Sequence, residues 1–339
     1  MRVFLVIVSL FLVQLNSFSF QQNNFSTFVY HRFGDDRYPS TNISLDNFEA
    51  QLSFLSEEGY EVISLNDAFK QLKSSPKDLS KTVVITIDDA YKSFYQNGWP
   101  LLKKYGFKAT LFVNTKTVGA SDYMTWKELK EVQSEGVEIA NHSHAHPYFM
   151  NDFSVRKFYS DLTISQAFFQ NMIGSLPDGY AYPYGEWHPE MGNLLDSLGY
   201  SYAAAQNSGV VYQNSPSFQL PRFPMSDAYA GLDEFKQKAD MNALEIQKLE
   251  VIDNNFKGSK EKPRVLLKFK EADYDLKNLQ CFIQGTKAKK SIEVLKDGDV
   301  VLSIWPEEAL NQRRTLFTVT VTDKKGKWHW FSYSYLLLN

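Results

Sequence analysis

Two adjacent carboxylates directly follow an apolar, β-branched segment of the chain. The segment TVVITI (Thr82–Ile87) predicts a strand buried on both faces, and Asp88 and Asp89 come next. Carboxylates at the carboxyl end of a parallel strand lie where βα folds place their active sites. Adjacent side chains point in different directions, so each carboxylate can have a different chemical role. The alternative is a turn or a helix N-cap, where aspartate is also favoured.

A histidine cluster follows a second apolar run, VEIA. Three of the six histidines fall within the segment HSHAH, as His142, His144 and His146. His142 and His146 share one face of a helical turn, whereas all three share one face of an extended strand. Either arrangement makes a metal site, and a cluster without metal is the alternative. Two histidines and one aspartate suit a divalent cation that activates water, with the spare aspartate beside them as general base.

The elements that position these residues alternate between strand and helix patterns from Phe25 to about residue 240. Apolar runs separated by amphipathic segments predict βα units around a parallel sheet. The number of such strands, about seven, favours closure into a barrel over an open sheet.

The pattern changes near residue 245. A polar segment is followed by short apolar runs with turn signals, including KDGD between two of them. We therefore predict a barrel over residues 20–243 and a small antiparallel β-sandwich over residues 244–339. The sequence of the sandwich contains no group of residues that predicts catalysis. The sandwich could bind glycan, but we favour packing against the barrel.

Composition excludes several classes of function. The chain has 339 residues, 43% hydrophobic and 22% charged, which is ordinary for a folded protein. Its formal charge is −3 and it has no basic run, so we expect no nucleic-acid partner. The single cysteine, Cys281, allows neither an intramolecular disulfide nor a cysteine-based zinc site.

The N-terminus has the pattern of an export signal. Arg2 precedes the apolar run Val3–Val13, and the small residues Ser17 and Ser19 predict cleavage after Ser19. An uncleaved anchor is the alternative. No later stretch reaches the roughly 20 apolar residues of a transmembrane helix. We expect a secreted or periplasmic protein with no membrane span after residues 1–19 are removed.

Three segments together resemble the motifs of the polysaccharide deacetylases, carbohydrate esterase family four. TIDDAY resembles the first motif, TFDDG; HSHAH matches the second, H-S/T-x-x-H; and AYPYG resembles the third, R-x-P-Y. The resemblance covers roughly residues 26 to 240. It implies a distorted (β/α)7 barrel, which agrees with the strand pattern.

The resemblance also implies roles for single residues. Asp88 would be the general base, and Asp89, His142 and His146 would hold one divalent metal ion. We expect zinc, with cobalt, nickel and iron as alternatives. The backbone N–H of Tyr184 would stabilise the oxyanion, a contribution whose loss typically costs ~10²–10³ in rate.

The chain departs from the family pattern in four places. Ile87 and Ala90 are mild changes in the first motif, and Ala181 stands where the third motif has arginine. The late L-x-H motif, which supplies the general acid, is missing.

FVYHRF resembles the opening of exported poly-N-acetylglucosamine deacetylases, in which the acid histidine lies near the N-terminus. This implies His31 as the acid; a packed strand-end histidine is the alternative.

Arg222, in the segment LPRFP, could take the role of the missing arginine, with a surface ion pair as the alternative. Aromatic residues near the motifs could stack on sugar rings. We predict substrate contacts for Tyr91, Tyr148 and Trp187, with core packing as the alternative for each.

These observations predict a metal-dependent hydrolase that removes N-acetyl groups from an N-acetylhexosamine polymer. An exopolysaccharide, a chitin-like chain and peptidoglycan all carry that group. One alternative is an O-acetyl esterase acting on xylan or another acetylated glycan. The other is a non-catalytic glycan-binding protein with a degenerate barrel.

Overall fold

The computed structural model describes residues 23–74, 78–252, 262–271 and 273–337. The predicted signal peptide lies outside these residues. No helix in the described ranges is long and apolar enough to cross a membrane.

The first part of the chain forms a curled, mostly parallel sheet. Its hydrogen-bonded path runs β10-β1-β5-β6-β7-β8-β9, with β4 on β5 and β11 on β1. The strands β2 and β3 form a separate parallel ribbon. In chain order the strands are β1 (Asn24–Tyr30), β2 (Arg32–Phe33), β3 (Asn42–Ile43), β4 (Glu61–Ile63), β5 (Thr82–Asp88), β6 (Thr110–Val113), β7 (Glu138–Asn141), β8 (Gly179–Ala181), β9 (Tyr202–Ala204), β10 (Val210–Tyr212) and β11 (Phe223–Pro224).

The segment around β11 joins the two ends of the curled sheet. Leu220 exchanges backbone hydrogen bonds with Ala203 and Ala205 at the β9 end. Directly after Arg222, the same segment pairs with β1 in parallel, and the Met225 N–H donates to the carbonyl of Val29. One short segment therefore bridges β9 and β1, which gives the sheet its barrel-like form.

Within the described ranges, seven α-helices pack outside the strands. Several begin or end on local signals: the Ser44 hydroxyl caps α1, and Thr125 and Glu128 form a capping box on α4. The helices are α1 (Leu45–Glu57), α2 (Leu65–Ser74), α3 (Trp99–Tyr105), α4 (Trp126–Ser134), α5 (Val155–Met172), α6 (Pro189–Ser197) and α7 (Leu232–Ala239).

The C-terminal part is two four-stranded sheets, with orders β12-β19-β18-β15 and β13-β14-β17-β16. Alternate residues of both sheets, such as Leu267, Leu302 and Val319, share one apolar core. All pairs are antiparallel except β12 with β19. The strands are β12 (Asn242–Ala243), β13 (Lys248–Ile252), β14 (Arg264–Lys270), β15 (Gln280–Ile283), β16 (Ala288–Val294), β17 (Asp299–Pro306), β18 (Arg314–Thr322) and β19 (Trp328–Leu336).

The last strand, β19, packs against the barrel. The Trp330 ring contacts Phe223, and its indole N–H donates to the carbonyl of Ser208 over 3.1 Å. Asn207 donates a side-chain hydrogen bond to the carbonyl of Ser332. The C-terminal sheets thus lie against the segment that follows β9, close to where the sheet is joined.

Candidate active site

The carboxyl ends of the parallel strands bring the predicted residues together. Asp88 is the last residue of β5, and His142 follows β7 directly. Tyr184 lies just beyond β8, and His31 follows β1. Because parallel strands end at the same edge of a sheet, residues distant in sequence converge there.

Asp88 and Arg222 form a fully buried ion pair. Arg222 Nη1 donates to Asp88 Oδ1 over 2.7 Å and Nη2 donates to Oδ2 over 2.9 Å, and both side chains are 0% exposed. The guanidinium also donates to Thr86 Oγ1 and to the Ala205 carbonyl, so its buried donors are well satisfied. Burial acts to raise the pKa of Asp88, but the positive charge of Arg222 holds that pKa well below its ordinary value. The carboxylate is therefore ionised.

Asp89, His142 and His146 form a cluster that fits a divalent cation. The Nε2 atoms of the two histidines are 3.2 Å apart, and Asp89 Oδ1 lies 3.7 Å from one and 3.6 Å from the other. Tetrahedral ligands bound at about 2.0–2.1 Å lie about 3.3 Å from one another, so the spacing matches a shared cation. Two imidazole nitrogens and one carboxylate are donors that zinc accepts.

The protonation of both histidines also suits ligation. His142 Nδ1 lies 2.8 Å from the Ala181 carbonyl, which can only accept, so Nδ1 carries the proton and the Nε2 lone pair faces the cluster. Burial, and then the neighbouring His142, lower the pKa of His146 to about 4. Its ring is therefore neutral at pH 7, as a metal ligand must be.

His144 does not join this cluster. Its Nδ1 lies 2.9 Å from the Thr115 hydroxyl, and its ring stacks on Phe168. Its backbone N–H donates to Asp161. The cluster in the described residues therefore combines the two histidines four apart with Asp89.

Backbone strain is concentrated at the same edge. Every non-glycine residue with a positive φ in the described part of the chain lies in these loops. At Ala90, with φ 56°, the family motif has glycine, which adopts this conformation without a Cβ penalty. Strain of this kind persists only where the surroundings over-determine the backbone. The residues are Asp89, Ala90, Ser143, His146 and Tyr184.

His31 also lies close to Asp88, near the same carboxylate oxygen that His142 approaches. Its Nε2 is 4.0 Å from Asp88 Oδ2, and its side chain is 22% exposed. Burial lowers the pKa of His31, and the charges of Asp88 and Asp89 oppose that shift. The side chain therefore reaches both the carboxylate and solvent.

The three predicted substrate-contact residues have different surroundings. Tyr148 is 45% exposed and stacks on Tyr184, with ring centroids 3.6 Å apart. The Arg32 guanidinium lies 3.6 Å from the centroid of the Tyr91 ring and occupies one face of it. Trp187 lines a cleft of about 440 Å³ between the barrel and the C-terminal sheets. A sugar contact for each residue stays a prediction.

Sequence reasoning missed three residues that contact the site. Gln206 Nε2 donates to Asp88 Oδ2 over 3.4 Å. Arg313 pairs with Glu186, and Arg314 donates to the carbonyl of Tyr184. The two arginines come from the C-terminal sheets, more than a hundred residues from their partners in sequence. No sequence motif identifies either arginine as a residue near the site.

The chain is similar to polysaccharide deacetylases in sequence. The sequence model of the family described as "Polysaccharide deacetylase" matches residues 75–203. A Bacillus subtilis protein named as a polysaccharide deacetylase, YxkH, is 28% identical over 203 residues, which are 60% of this chain and 72% of that protein. The poly-beta-1,6-N-acetyl-D-glucosamine N-deacetylase of Staphylococcus aureus is 28% identical over 227 residues, which are 63% of this chain and 78% of the relative.

Solved structures show the same fold. The Streptococcus pyogenes deacetylase PplD superimposes with a TM-score of 0.59 at 22% identity, covering 64% of this chain and 99% of that one. IcaB from Ammonifex degensii gives a TM-score of 0.57 at 24% identity, covering 65% and 98%. The predicted fold class, a deacetylase-type barrel followed by a β-rich region, is confirmed. The match over residues 75–203, together with these relatives, supports the polysaccharide deacetylase family for this part of the chain.

Replacing Arg222 by Met should destabilise the protein by about 3–5 kcal/mol, because it leaves the Asp88 carboxylate buried without its partner. Urea unfolding of the full chain measures this. The control is Arg156→Met, at an exposed position of α5, which should change stability by less than about 0.5 kcal/mol. Equal stability of the two variants would show that Arg222 does not compensate the buried charge.

Proposed function

We propose that this protein is a metal-dependent N-deacetylase of an N-acetylhexosamine polymer. The observation that carries the proposal is an ionised, buried Asp88 whose Oδ2 lies 4.0 Å from Nε2 of His142, in the metal-ligand cluster, and 4.0 Å from Nε2 of His31. A glycan-binding protein has no need of a metal cluster together with a general base. The site therefore supports catalysis over binding alone.

In this proposal Asp89, His142 and His146 hold one divalent cation, zinc first, with cobalt, nickel or iron as alternatives. When bound, such a cation polarises water and the carbonyl oxygen of the substrate. His142 is fixed for this task by its hydrogen bond to the Ala181 carbonyl.

Asp88 and His31 divide the proton transfers. Asp88 accepts the proton of the attacking water at a carboxylate oxygen, and Arg222 orients that carboxylate through its two hydrogen bonds. His31 donates a proton from Nε2 to the leaving nitrogen as the C–N bond breaks, so the products are acetate and an amine. Arg222 thereby takes the role of the arginine that Ala181 replaces in the third motif.

Tyr184 completes the reaction centre through its backbone N–H, which donates to the oxyanion. Its side chain stacks on Tyr148 and lies against the ring of His146. We propose that Tyr148, Tyr91 and Trp187 contact sugar rings, because aromatic faces pack well on the apolar faces of sugars.

The substrate class rests on the relatives' names as well as on the site. The Staphylococcus aureus relative is named for a poly-N-acetylglucosamine substrate, and an exported enzyme could reach such a polymer outside the cytoplasm. A secreted or periplasmic location, cleavage after Ser19 and a barrel boundary at residue 243 belong to the same proposal.

Acetate release tests the function directly. The chain from residue 20 is incubated with N-acetylglucosamine oligomers and with O-acetylated xylan, each with zinc, cobalt or nickel, and with chelator as the control. We expect metal-dependent release from the amide substrate. Release from xylan alone would assign the esterase function instead, and no release from either would leave glycan binding as the alternative to test.

Replacing His31 by Ala should reduce turnover of the amide substrate by about 10²–10⁴-fold, the usual contribution of a general acid. An ester leaving group needs less protonation than an amine, so turnover of an acetyl ester should fall much less. His188→Ala is the control, since the His188 side chain caps α6 and stacks on Phe153. An equal loss on both substrates, or no loss on the amide, would remove His31 as the acid.

A further inference from the structure

Two consecutive arginines, Arg313 directly before β18 and Arg314 at its first position, extend from the C-terminal sheets to the loop that carries Tyr184. Arg313 donates two hydrogen bonds to Glu186, from Nε and Nη2, each 2.6 Å long. The Glu186 side chain is 4% exposed. A carboxylate this deeply buried needs a counter-ion, so Arg313 fixes one end of the loop to the C-terminal sheets.

Arg314 contacts the catalytic loop more directly. Its Nη1 donates to the carbonyl oxygen of Tyr184 and lies 3.4 Å from Gln206 Oε1. Gln206 in turn donates from Nε2 to Asp88 Oδ2 over 3.4 Å. A line of three hydrogen bonds therefore joins the C-terminal sheets to the turn of Tyr184 and to the proposed base.

The turn itself needs such support. Tyr184 has a φ of 59°, which is costly for a side chain of this size. Gly185 follows with a φ of 69°, and a Cβ there would lie 2.6 Å from the backbone nitrogen of Gln206. The turn is thus strained and packed closely on Gln206. Strained backbone persists when neighbouring contacts over-determine it. Arg314 supplies two such contacts, one to the carbonyl of Tyr184 and one to the side chain of Gln206.

We propose that Arg314 is a positioning residue for deacetylation, through which the C-terminal sheets complete the active site. It holds the Tyr184 turn and Gln206 in the arrangement that the oxyanion and Asp88 require. The inference rests on the proposed function. It also gives the C-terminal sheets a role in catalysis that does not depend on their binding glycan.

The kinetic test uses the full chain with zinc and N-acetylglucosamine oligomers. Arg314→Ala should lower kcat by about 10- to 100-fold, the range expected for losing a charged hydrogen bond, with KM nearly unchanged. Arg314→Lys keeps a charged donor and should retain part of kcat, and methylguanidine should partly restore the alanine variant. The control is Arg264→Ala, an exposed arginine of β14 that packs on Trp305 of its own sheet.

Amide hydrogen exchange of the peptide spanning residues 182–187 gives a readout that does not need activity. Exchange there should accelerate in Arg314→Ala, less in Arg314→Lys, and not in Arg264→Ala. Wild-type kcat and unchanged exchange in Arg314→Ala would overturn the proposal, as would an equal loss in Arg264→Ala. If the wild-type chain releases no acetate, the proposed function fails. The exchange measurement still tests the positioning role in that case, because unchanged exchange in Arg314→Ala would refute it.

Discussion

The buried ion pair between Asp88 and Arg222 is the interaction on which the rest of the structure depends. Neither side chain is exposed, and each charge is tolerated in the interior because the other is present. Arg222 lies in the segment that joins β9 to β1, and it bonds Ala205 beyond β9 as well as Thr86 and Asp88 on β5. The residue that keeps the carboxylate ionised therefore also ties the joining segment to Ala205 and to β5.

The metal-ligand cluster is built around this pair. His142 Nε2 lies 4.0 Å from Asp88 Oδ2, so Asp88 and the three residues of the cluster share one compact site. The loops that hold the ligands adopt left-handed backbone conformations at Asp89 and His146, and backbone amides of the His146 loop donate to Asn141 and Ser143. A rigid barrel edge with strained loops is the arrangement expected where geometry must be fixed before the substrate arrives.

The sequence was sufficient to predict the fold class from local patterns. It also named the three residues of the cluster that could hold a metal, but only the family resemblance chose His142 and His146 over all three histidines. A buried strand followed by two aspartates, and two histidines four apart after another strand, each lie within a few residues. The contacts of Arg222 with Asp88 could be named only as one possibility, since the two residues are 134 positions apart. Arg314 was missed altogether, because its partners are set by how the C-terminal sheets pack on the barrel.

Zinc binding and turnover measured together in Asp88→Asn test the central claim most directly. Asp88 is proposed as the base and not as a ligand, so the variant should bind one equivalent of zinc as the wild-type chain does. Its release of acetate from N-acetylglucosamine oligomers should fall by about 10²–10⁴-fold or more. Turnover at the wild-type rate would contradict the assignment of the base. Loss of zinc together with turnover would contradict the division of roles between Asp88 and the cluster of Asp89, His142 and His146.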